Sequence, residues 1–166
     1  WYFNGVDGYV EVPDDPSLNP TRVTVEVLVR PRVVGVQPFI LSKYSWSNIR
    51  GYALLIYDGK VYWRVFGNGV RTQVISNVAV SADRWYFIQA MFDGDVARLY
   101  INGALDNYGS AHLEGEPTVP LRVGYASDAA PGGSYYFDGL IALARVYNRA
   151  LTEDEIDNTY NSHIVN

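Results

Sequence analysis

The chain contains no cysteine among its 166 residues. Disulfide bonds, zinc sites built on thiolates and catalysis by a thiol are therefore excluded. Long apolar runs are also missing, so we expect no membrane insertion. The length still suffices for one domain over residues 1–166, because a chain of this size can bury roughly two-thirds of the surface that its unfolded form exposes.

Lysine is scarce as well: of the 13 basic residues only Lys43 and Lys60 are lysines, and the rest are arginines. These arginines occur singly along a chain whose formal net charge is −5. No basic stripe is present to neutralise phosphates, so we expect no nucleic-acid partner. The chain starts at Trp1 without a signal-like segment, and we expect it to be excised from a larger protein that is secreted or displayed on a cell or virion surface.

Aromatic residues, in contrast, are abundant. The chain has 14 Tyr, 6 Phe and 4 Trp. Together these side chains provide more flat ring surface than a small core requires. We therefore expect some of the rings to lie at the surface of the folded protein.

Turn sequences divide the chain into short strands. Asp58-Gly59, Asp93-Gly94 and Asn102-Gly103 each lie between runs rich in β-branched and aromatic residues, which is the strongest short-range indication of a β-hairpin. Residues 9–12 and 23–29 alternate with the period of a strand that has one buried face. Because such strands must bury that face against a second layer, about a dozen of them predict an all-β fold, an antiparallel two-sheet β-sandwich of jelly-roll type.

The end of the chain has a different pattern, which predicts one short C-terminal helix. Thr152 is a suitable N-cap, and Glu155 completes a capping box with it. Leu151 and Ile156 can pack on each other as a hydrophobic staple, and the acidic residues here favour the positive end of the helix dipole. We expect the helix to run roughly to Tyr160.

Several segments resemble one family of β-sandwiches when they are taken in order. They are the opening residues 3–13, the strand 25–31, the central hairpin 85–103 and the closing residues 121–124, 137–141 and 145–156. In this order they resemble the laminin-G-like jelly rolls of the concanavalin A-like lectin and glucanase superfamily. The resemblance runs from end to end and implies a jelly-roll fold.

The resemblance also implies a place for a calcium ion, and here the chain departs from the family. Where the family often has Ile-Asp-Glu after the closing glycine, this chain has Ile141-Ala142-Leu143, which removes two carboxylates. Asp138 is retained, and Asn4 and Asp7 would be its neighbours in the opening segment. Calcium requires about six to eight oxygen ligands. We keep Asn4, Asp7 and Asp138 as candidate ligands of a structural calcium ion, the one cofactor that the resemblance implies.

Catalytic residues are not evident in the sequence. A glycosidase of this superfamily needs two carboxyl groups that flank a cleft, whereas Glu11 and Glu26 lie on different strand segments without a tight acid cluster. Glu153, Asp154 and Glu155 cluster because a helix N-terminus favours anions. We therefore predict that the chain is not an enzyme.

Residues 42–50 form the most unusual segment, which we interpret as a polar loop with large rings. Sugars present apolar C–H faces that stack on aromatic side chains, and hydroxyl groups that pair with amides and charged groups. The alternative is that the ring of Trp46 folds back over the end of the sandwich as a plug. The candidate ligand-binding residues are Lys43, Tyr44, Trp46, Asn48 and Arg50.

Three hypotheses of function follow. The first is a non-catalytic recognition module of a secreted or surface-displayed protein, which binds glycan through loop aromatics and polar groups. The second is a structural or assembly domain of an adhesin, a surface layer or a virion, with a surface protein as its partner. The third is a glycan-cleaving enzyme of the same superfamily. The fold alone does not decide among them, because this sandwich carries many functions.

Overall fold

The structure is a computed structural model that describes residues 1–116, 118–128 and 135–164. These residues form twelve β-strands, a short 3-10 helix at Pro16–Leu18 and one α-helix. The strands are β1 (Tyr2–Asn4), β2 (Val10–Val12), β3 (Val23–Pro31), β4 (Phe39–Ser45), β5 (Arg50–Tyr57), β6 (Lys60–Gly67), β7 (Val70–Ala79), β8 (Tyr86–Phe92), β9 (Val96–Ile101), β10 (Ala104–Ser110), β11 (Leu121–Val123) and β12 (Asp138–Tyr147), and the helix is α1 (Glu153–Ile164).

The strands make two six-stranded sheets whose neighbouring strands pair antiparallel. Sheet A has the order β1-β12-β3-β8-β9-β10, and sheet B has the order β2-β11-β4-β5-β6-β7. The inner faces pack on each other, and the alternating residues Val23, Val25, Val27 and Val29 of β3 are fully buried in the same cluster as Trp63 of β6. This arrangement confirms the predicted all-β jelly-roll sandwich with one short helix.

The predicted hairpin turns join neighbouring strands. Asp58 and Gly59 have φ angles of 48° and 68°, the left-handed pair of a two-residue turn that matches the twist of β5 and β6. Asn102-Gly103 makes the same kind of turn between β9 and β10. Asp93-Gly94 lies in the longer turn between β8 and β9. These turns fix the register of the strands on which the outer faces are built.

The predicted loop over residues 42–50 is wrong in its first half. β4 extends to Ser45, and residues 46–49 form the turn that separates it from β5. Lys43 and Tyr44 are both buried, because they alternate across the strand and each finds packing partners on its own side of sheet B. The polar residues of this segment therefore belong to a strand whose two faces are both covered by other parts of the chain.

The helix α1 lies on the outer face of sheet A. The predicted capping box is present: the Thr152 amide donates to Glu155 Oε2 at 2.9 Å, and the Glu155 amide donates to Thr152 Oγ1 at 3.3 Å. The helix continues to Ile164, one turn beyond the predicted end. In the described ranges no helix combines the length and the apolarity needed to cross a bilayer. The buried cluster beneath α1 consists of Met91, Tyr100, Leu151 and Ile156.

Candidate functional site

The outer face of sheet B carries an open cleft, which we call the aromatic cleft. Along β6, Tyr62, Arg64 and Phe66 lie on this face, and the residues between them belong to the core. This is the alternation expected of a strand that lies between a core and an outer surface. The cleft has a volume of about 310 Å³. Its lining residues are Gln37, Phe39, Tyr44, Trp46, Arg64, Arg71, Asp128 and Tyr135.

Three stacked rings form one floor, of which Phe39 and Tyr44 line the aromatic cleft and Phe66 lines the hollow next to it. The strand register places Tyr44 and Phe66 on either side of Gly51. The two flanking rings stack on each other with centroids 5.1 Å apart and planes 12° apart. Phe39 stacks on the other side of Tyr44 at 5.6 Å and 9°. The floor is therefore rigid, since each ring is buried and held by its neighbours.

Trp46 stands at the edge of this floor. Its indole packs edge-on against Tyr44 and Phe66, with centroids 6.5 Å and 6.3 Å away, yet 54% of the residue remains exposed. The guanidinium of Arg71 lies over the ring, 5.1 Å from its centroid. A second hollow of about 280 Å³ adjoins the cleft, and Trp46 and Arg71 line both. Trp46 is thus an exposed ring on a fixed support, which does not agree with the alternative that it plugs the end of the sandwich.

Arg64 supplies the buried charge of the aromatic cleft. Its Nε donates to Gln73 Oε1 at 2.9 Å, and the amide oxygen of Gln37, when turned towards the guanidinium, accepts from it at 2.7 Å and 3.2 Å. Burial and the neighbouring Arg71 lower the pKa of Arg64 to about 10, so the side chain is still cationic at neutral pH. Among the described residues neither arginine forms an ion pair with a carboxylate.

Asp128 reaches the aromatic cleft from the loop that follows β11. Its Oδ2 accepts hydrogen bonds from the Trp46 amide at 2.6 Å and from the Ser45 hydroxyl at 3.2 Å, so this carboxylate fixes the turn that carries the indole. Burial, reinforced by Asp128, raises the pKa of Tyr44. The Tyr44 hydroxyl therefore stays neutral, and it donates to the Asp128 carbonyl oxygen at 3.3 Å.

The five residues predicted to bind a ligand do not share one place. Tyr44 and Trp46 line the aromatic cleft, as its floor and its edge, whereas Lys43, Asn48 and Arg50 lie outside it. The strand alternation that brings Tyr44 to the outer face sends Lys43 to the other side of sheet B. Side chains of adjacent strand residues point to opposite faces. Lys43 and Tyr44 therefore cannot both line the aromatic cleft, and the prediction of one site from this continuous segment was wrong for Lys43.

Lys43 has a structural role instead. Its side chain is fully buried, and Nζ donates to Asp14 Oδ1 at 2.5 Å and to the carbonyl oxygens of Glu116 and Val119 at 2.8 Å and 2.7 Å. All three donor hydrogens of the ammonium are thus engaged. No part of Lys43 is accessible to a ligand, which contradicts its predicted contact with a sugar.

Asn48 and Arg50 hold the same region from the turn side. Asn48 Nδ2 donates to Glu116 Oε2 at 3.1 Å, and Arg50 Nε pairs with Glu114 Oε2 at 3.1 Å. Both contacts tie the end of β4 and the start of β5 to the segment that follows β10. These two residues therefore hold the loops at one end of the sandwich.

Sequence reasoning missed most of the lining of the aromatic cleft. One pattern could have revealed part of it. Tyr62, Arg64 and Phe66 are alternate residues of β6 and so lie on one face, and Arg71 and Gln73 are alternate residues of β7 that pair with Phe66 and Arg64. Asp128 and Tyr135 follow no local pattern. They arrive from a segment more than 80 residues beyond β4, as the Trp46 to Asp128 hydrogen bond shows with its separation of 82.

The residues predicted to bind calcium are partly engaged with other groups of the chain. Asn4 Oδ1 accepts the backbone amides of Val6, Asp7 and Gly8, and Asn4 Nδ2 donates to Asp7 Oδ1 at 2.7 Å. These bonds close a tight turn and engage Asn4 Oδ1 and Asp7 Oδ1. In the described residues no group of three acidic or histidine side chains is arranged to hold a metal ion.

Asp138, the third predicted calcium ligand, lies next to the guanidinium of Arg32. Its Oδ1 is buried without a hydrogen-bond partner, and Arg32 Nε lies 3.4 Å away, within the range of an ion pair but outside hydrogen-bond geometry. The guanidinium therefore supplies the positive charge beside the retained carboxylate. Arg32 thus lies beside the oxygen on which the calcium site would rely, and calcium at Asn4, Asp7 and Asp138 stays a prediction.

The strand acids are engaged in two separate places. Glu11 on sheet B pairs with Arg122 at 2.9 Å at the surface. Glu26 on sheet A is fully buried below α1 and accepts a hydrogen bond from Gln89 Nε2 at 3.0 Å. Asp128 is the one carboxylate among the described residues that line the aromatic cleft. These acids do not form the flanking pair that glycoside hydrolysis requires.

Comparison with solved structures finds the same fold in several proteins. A putative carbohydrate binding protein from Bacteroides ovatus superposes with a TM-score of 0.75 at 16% identity, over 94% of this chain and 45% of that one. Domains LG4-5 of the mouse laminin alpha1 chain give 0.72 at 17% identity, over 91% and 43%. The binding domain of botulinum neurotoxin DC, in complex with SialylT, gives 0.71 at 14% identity, over 97% and 41%.

The chain thus spans less than half the length of each of these three structures. At such identities the likeness concerns the fold alone. No curated protein matches the chain in sequence. The laminin G sequence model of the concanavalin A-like lectin/glucanases superfamily, however, matches residues 4–157. That match covers nearly the whole jelly roll, and the chain therefore belongs to the laminin-G-like family of the concanavalin A-like lectin and glucanase superfamily.

Proposed function

We propose that this chain is a non-catalytic recognition module that binds a glycan in the aromatic cleft. The observation that carries the proposal is Trp46, which is 54% exposed while the rings that support it are buried. Its contacts with Tyr44 and Phe66 fix the orientation of the indole before any ligand arrives. A sugar that stacks on this ring covers apolar surface at little cost in ordering the protein.

Polar groups around the indole suit the hydroxyls of a sugar. Arg64, Arg71 and Gln37 offer donors, the last also an acceptor, and Asp128 offers a carboxylate. The volume of the aromatic cleft, about 310 Å³, is at the lower end of the range of small-molecule sites, about 300 to 1,000 Å³. The cleft is therefore of the size for one or two sugar units at the end or the side of a longer glycan.

The solved relatives agree with a binding role. One is described as a putative carbohydrate binding protein, and another is a toxin binding domain in complex with SialylT. The single carboxylate in the described lining favours recognition over hydrolysis, which uses two. The proposal includes a parent protein that is secreted or surface-displayed, where it could meet glycans outside the cell.

The test is a glycan array followed by calorimetric titration of the best ligand against Trp46→Ala. Loss of the stacking ring should weaken binding roughly 10-fold or more, because burying the apolar surface of a large side chain contributes about 1.5–3 kcal/mol. Trp85→Ala is the matched control, since Trp85 is 45% exposed and lines a separate hollow beside α1. The control should bind as the unmodified chain does.

Two results would contradict the proposal. One is an array on which no glycan binds. The other is a ligand whose affinity is the same for Trp46→Ala and Trp85→Ala, since such a ligand would bind outside the aromatic cleft. The melting temperature of each variant shows whether it is folded.

A further inference from the structure

We propose that the glycan bound in the aromatic cleft carries an anionic substituent, a carboxylate or a sulfate, which Arg64 and Arg71 bind. This inference rests on the proposed function, since it names the class of sugar that the same cleft recognises. It is carried by the pairing of charges in the molecule and by the geometry of the two guanidinium groups.

The ion pairs of the described residues include neither of these two arginines; Arg22, Lys60 and Arg84 are outside the ion pairs as well, but none of those three is buried. Eight cationic side chains in the described residues pair with carboxylates, among them Lys43, the other cationic side chain that is buried. Arg64 is only 7% exposed and pairs with none. The chain has 18 acidic residues against 13 basic ones, so the missing carboxylate does not reflect a shortage of acids.

A cation in this position is costly for the fold. Burial removes water from the guanidinium of Arg64, and Arg71 on the neighbouring strand adds a like charge. Both effects lower the pKa of Arg64, to about 10. The amide oxygens of Gln37 and Gln73 accept its hydrogen bonds without neutralising its charge. An anion placed between the two arginines would supply the compensation that the chain lacks.

The guanidinium groups are also positioned in advance. Gln37 and Gln73 hold Arg64, and the indole of Trp46 holds Arg71 at 5.1 Å. Guanidinium groups bind carboxylate and sulfate oxygens through paired, nearly parallel hydrogen bonds, which an ammonium group cannot imitate. Because Arg71 touches the stacking ring, a sugar on Trp46 would bring a substituent at its rim to the arginines.

Asp128 does not compete for this position. Its Oδ2 accepts from the Trp46 amide and from the Ser45 hydroxyl, so the carboxylate is directed to the turn between β4 and β5. No ion pair joins it to Arg64 or Arg71 among the described contacts. The cleft therefore has an acidic side, which fixes the indole, and a basic side, which we assign to the anionic substituent.

The test compares three galactose-based oligosaccharides of equal length: a galacturonate oligomer, a carrageenan oligomer with sulfate groups, and a neutral galactan oligomer. We expect at least one anionic probe to bind roughly 10-fold or more tightly than the neutral one, as charge-assisted hydrogen bonds allow. Which of the two binds better distinguishes carboxylate from sulfate. Measurements at two salt concentrations separate this contact from long-range attraction.

Variants of the exposed Arg71 keep the test independent of folding. Arg71→Gln should remove most of the preference for the anionic probe, and Arg71→Lys should restore only part of it, because a lysine cannot form the paired hydrogen bonds. Arg84→Gln is the matched control, since Arg84 is exposed and lies outside the cleft lining. This control should retain the full preference.

The outcomes separate the two proposals. If the neutral oligomer binds as tightly as the anionic ones and Trp46→Ala abolishes that binding, glycan recognition stands and the anionic inference is overturned. A preference that Arg84→Gln reduces as much as Arg71→Gln would overturn it as well. If no galactose-based probe binds and the glycan array is also blank, the proposed function fails together with this inference.

Discussion

The two outer faces of the sandwich differ in what covers them. On sheet A, α1 packs across the strands, and Leu151 and Ile156 are buried with Met91 and Tyr100. On sheet B no described helix takes that place, and the face opens into the aromatic cleft beside Trp46. One face is therefore completed by the chain itself, and the other remains accessible.

The same difference holds for the buried charges. Glu26 lies on the covered face, where its carboxylate accepts hydrogen bonds from Gln89, Tyr147 and Thr159. Arg64 lies on the open face and has amide partners but no carboxylate. A buried charge with a full set of partners indicates a structural role, whereas the buried cation without a carboxylate partner is the group to which we assign the proposed anionic ligand.

The largest effect should follow from Gly51→Ala, which breaks the floor of the open face. Gly51 has a φ of +97°, and an added Cβ would lie 2.0 Å from the Lys43 carbonyl oxygen and 2.7 Å from Tyr44 Cα. Both neighbours are backbone atoms of β4, so the strand itself would have to move. We expect a loss of about 4 kcal/mol in the free energy of unfolding, measured by urea denaturation.

Gly69→Ala is the matched control for this substitution. Gly69 also has a positive φ, +69°, but an added Cβ would have no heavy atom within 4 Å. Only the backbone strain remains, which costs about 1 kcal/mol. Equal losses in the two variants would mean that the close approach of β4 does not constrain Gly51, and the account of the stacked floor would be wrong.

A second pair of variants removes the buried charge from each face. Glu26→Ala should lower the free energy of unfolding by about 3 kcal/mol, because the buried Gln89 and the half-buried Tyr147 and Thr159 lose their charged acceptor. Arg64→Met should change it by less than about 1 kcal/mol, because the apolar side chain removes an uncompensated buried charge. Gln37 and Gln73 are half-buried and can turn their amides to water. Chemical denaturation of both variants checks this.

Glu11→Ala controls for the loss of a carboxylate as such. Glu11 pairs with Arg122 at the surface, where an ion pair contributes less than about 1 kcal/mol. If Arg64→Met destabilised the chain as strongly as Glu26→Ala, both faces would be structural in the same sense. The contrast between a covered face and a binding face would then not hold.

Sequence reasoning recovered what is encoded over short distances. The Asp58-Gly59 turn and the Thr152 to Glu155 capping box depend on residues within four positions of each other, and both are present. The cleft depends instead on the packing of separate segments, because Arg64 of β6 shares it with Trp46 and with Asp128 from the loop after β11. The error over Lys43 has the same origin, because its burial depends on Asp14, 29 residues earlier.

The smallest effect concerns acid, which should loosen the cover of sheet A before it affects the paired strands of sheet B. Hydrogen bonds from Arg149, joined by the Thr152 amide, lower the pKa of Glu155 to about 2 from its ordinary value of 4.5. The capping box therefore adds stability that is complete above about pH 4.5 and is lost as the pH falls towards 2. Salt should weaken the effect, because Glu155 is exposed. Arg64, with a pKa of about 10, stays charged throughout this range.

Hydrogen exchange at about pH 3 and about pH 6, corrected for intrinsic rates, measures this difference between the faces. We expect the amides of α1 to lose protection at the lower pH while those of β6 keep it. Glu155→Gln keeps an acceptor for the cap but cannot titrate, so the difference between wild type and variant isolates this group from the other acids. If α1 and β6 lost protection together in the wild type, the helix would not open separately from the sheets. The covered face would then owe its stability to the whole sandwich, and the comparison between the two faces would apply to ligand access alone.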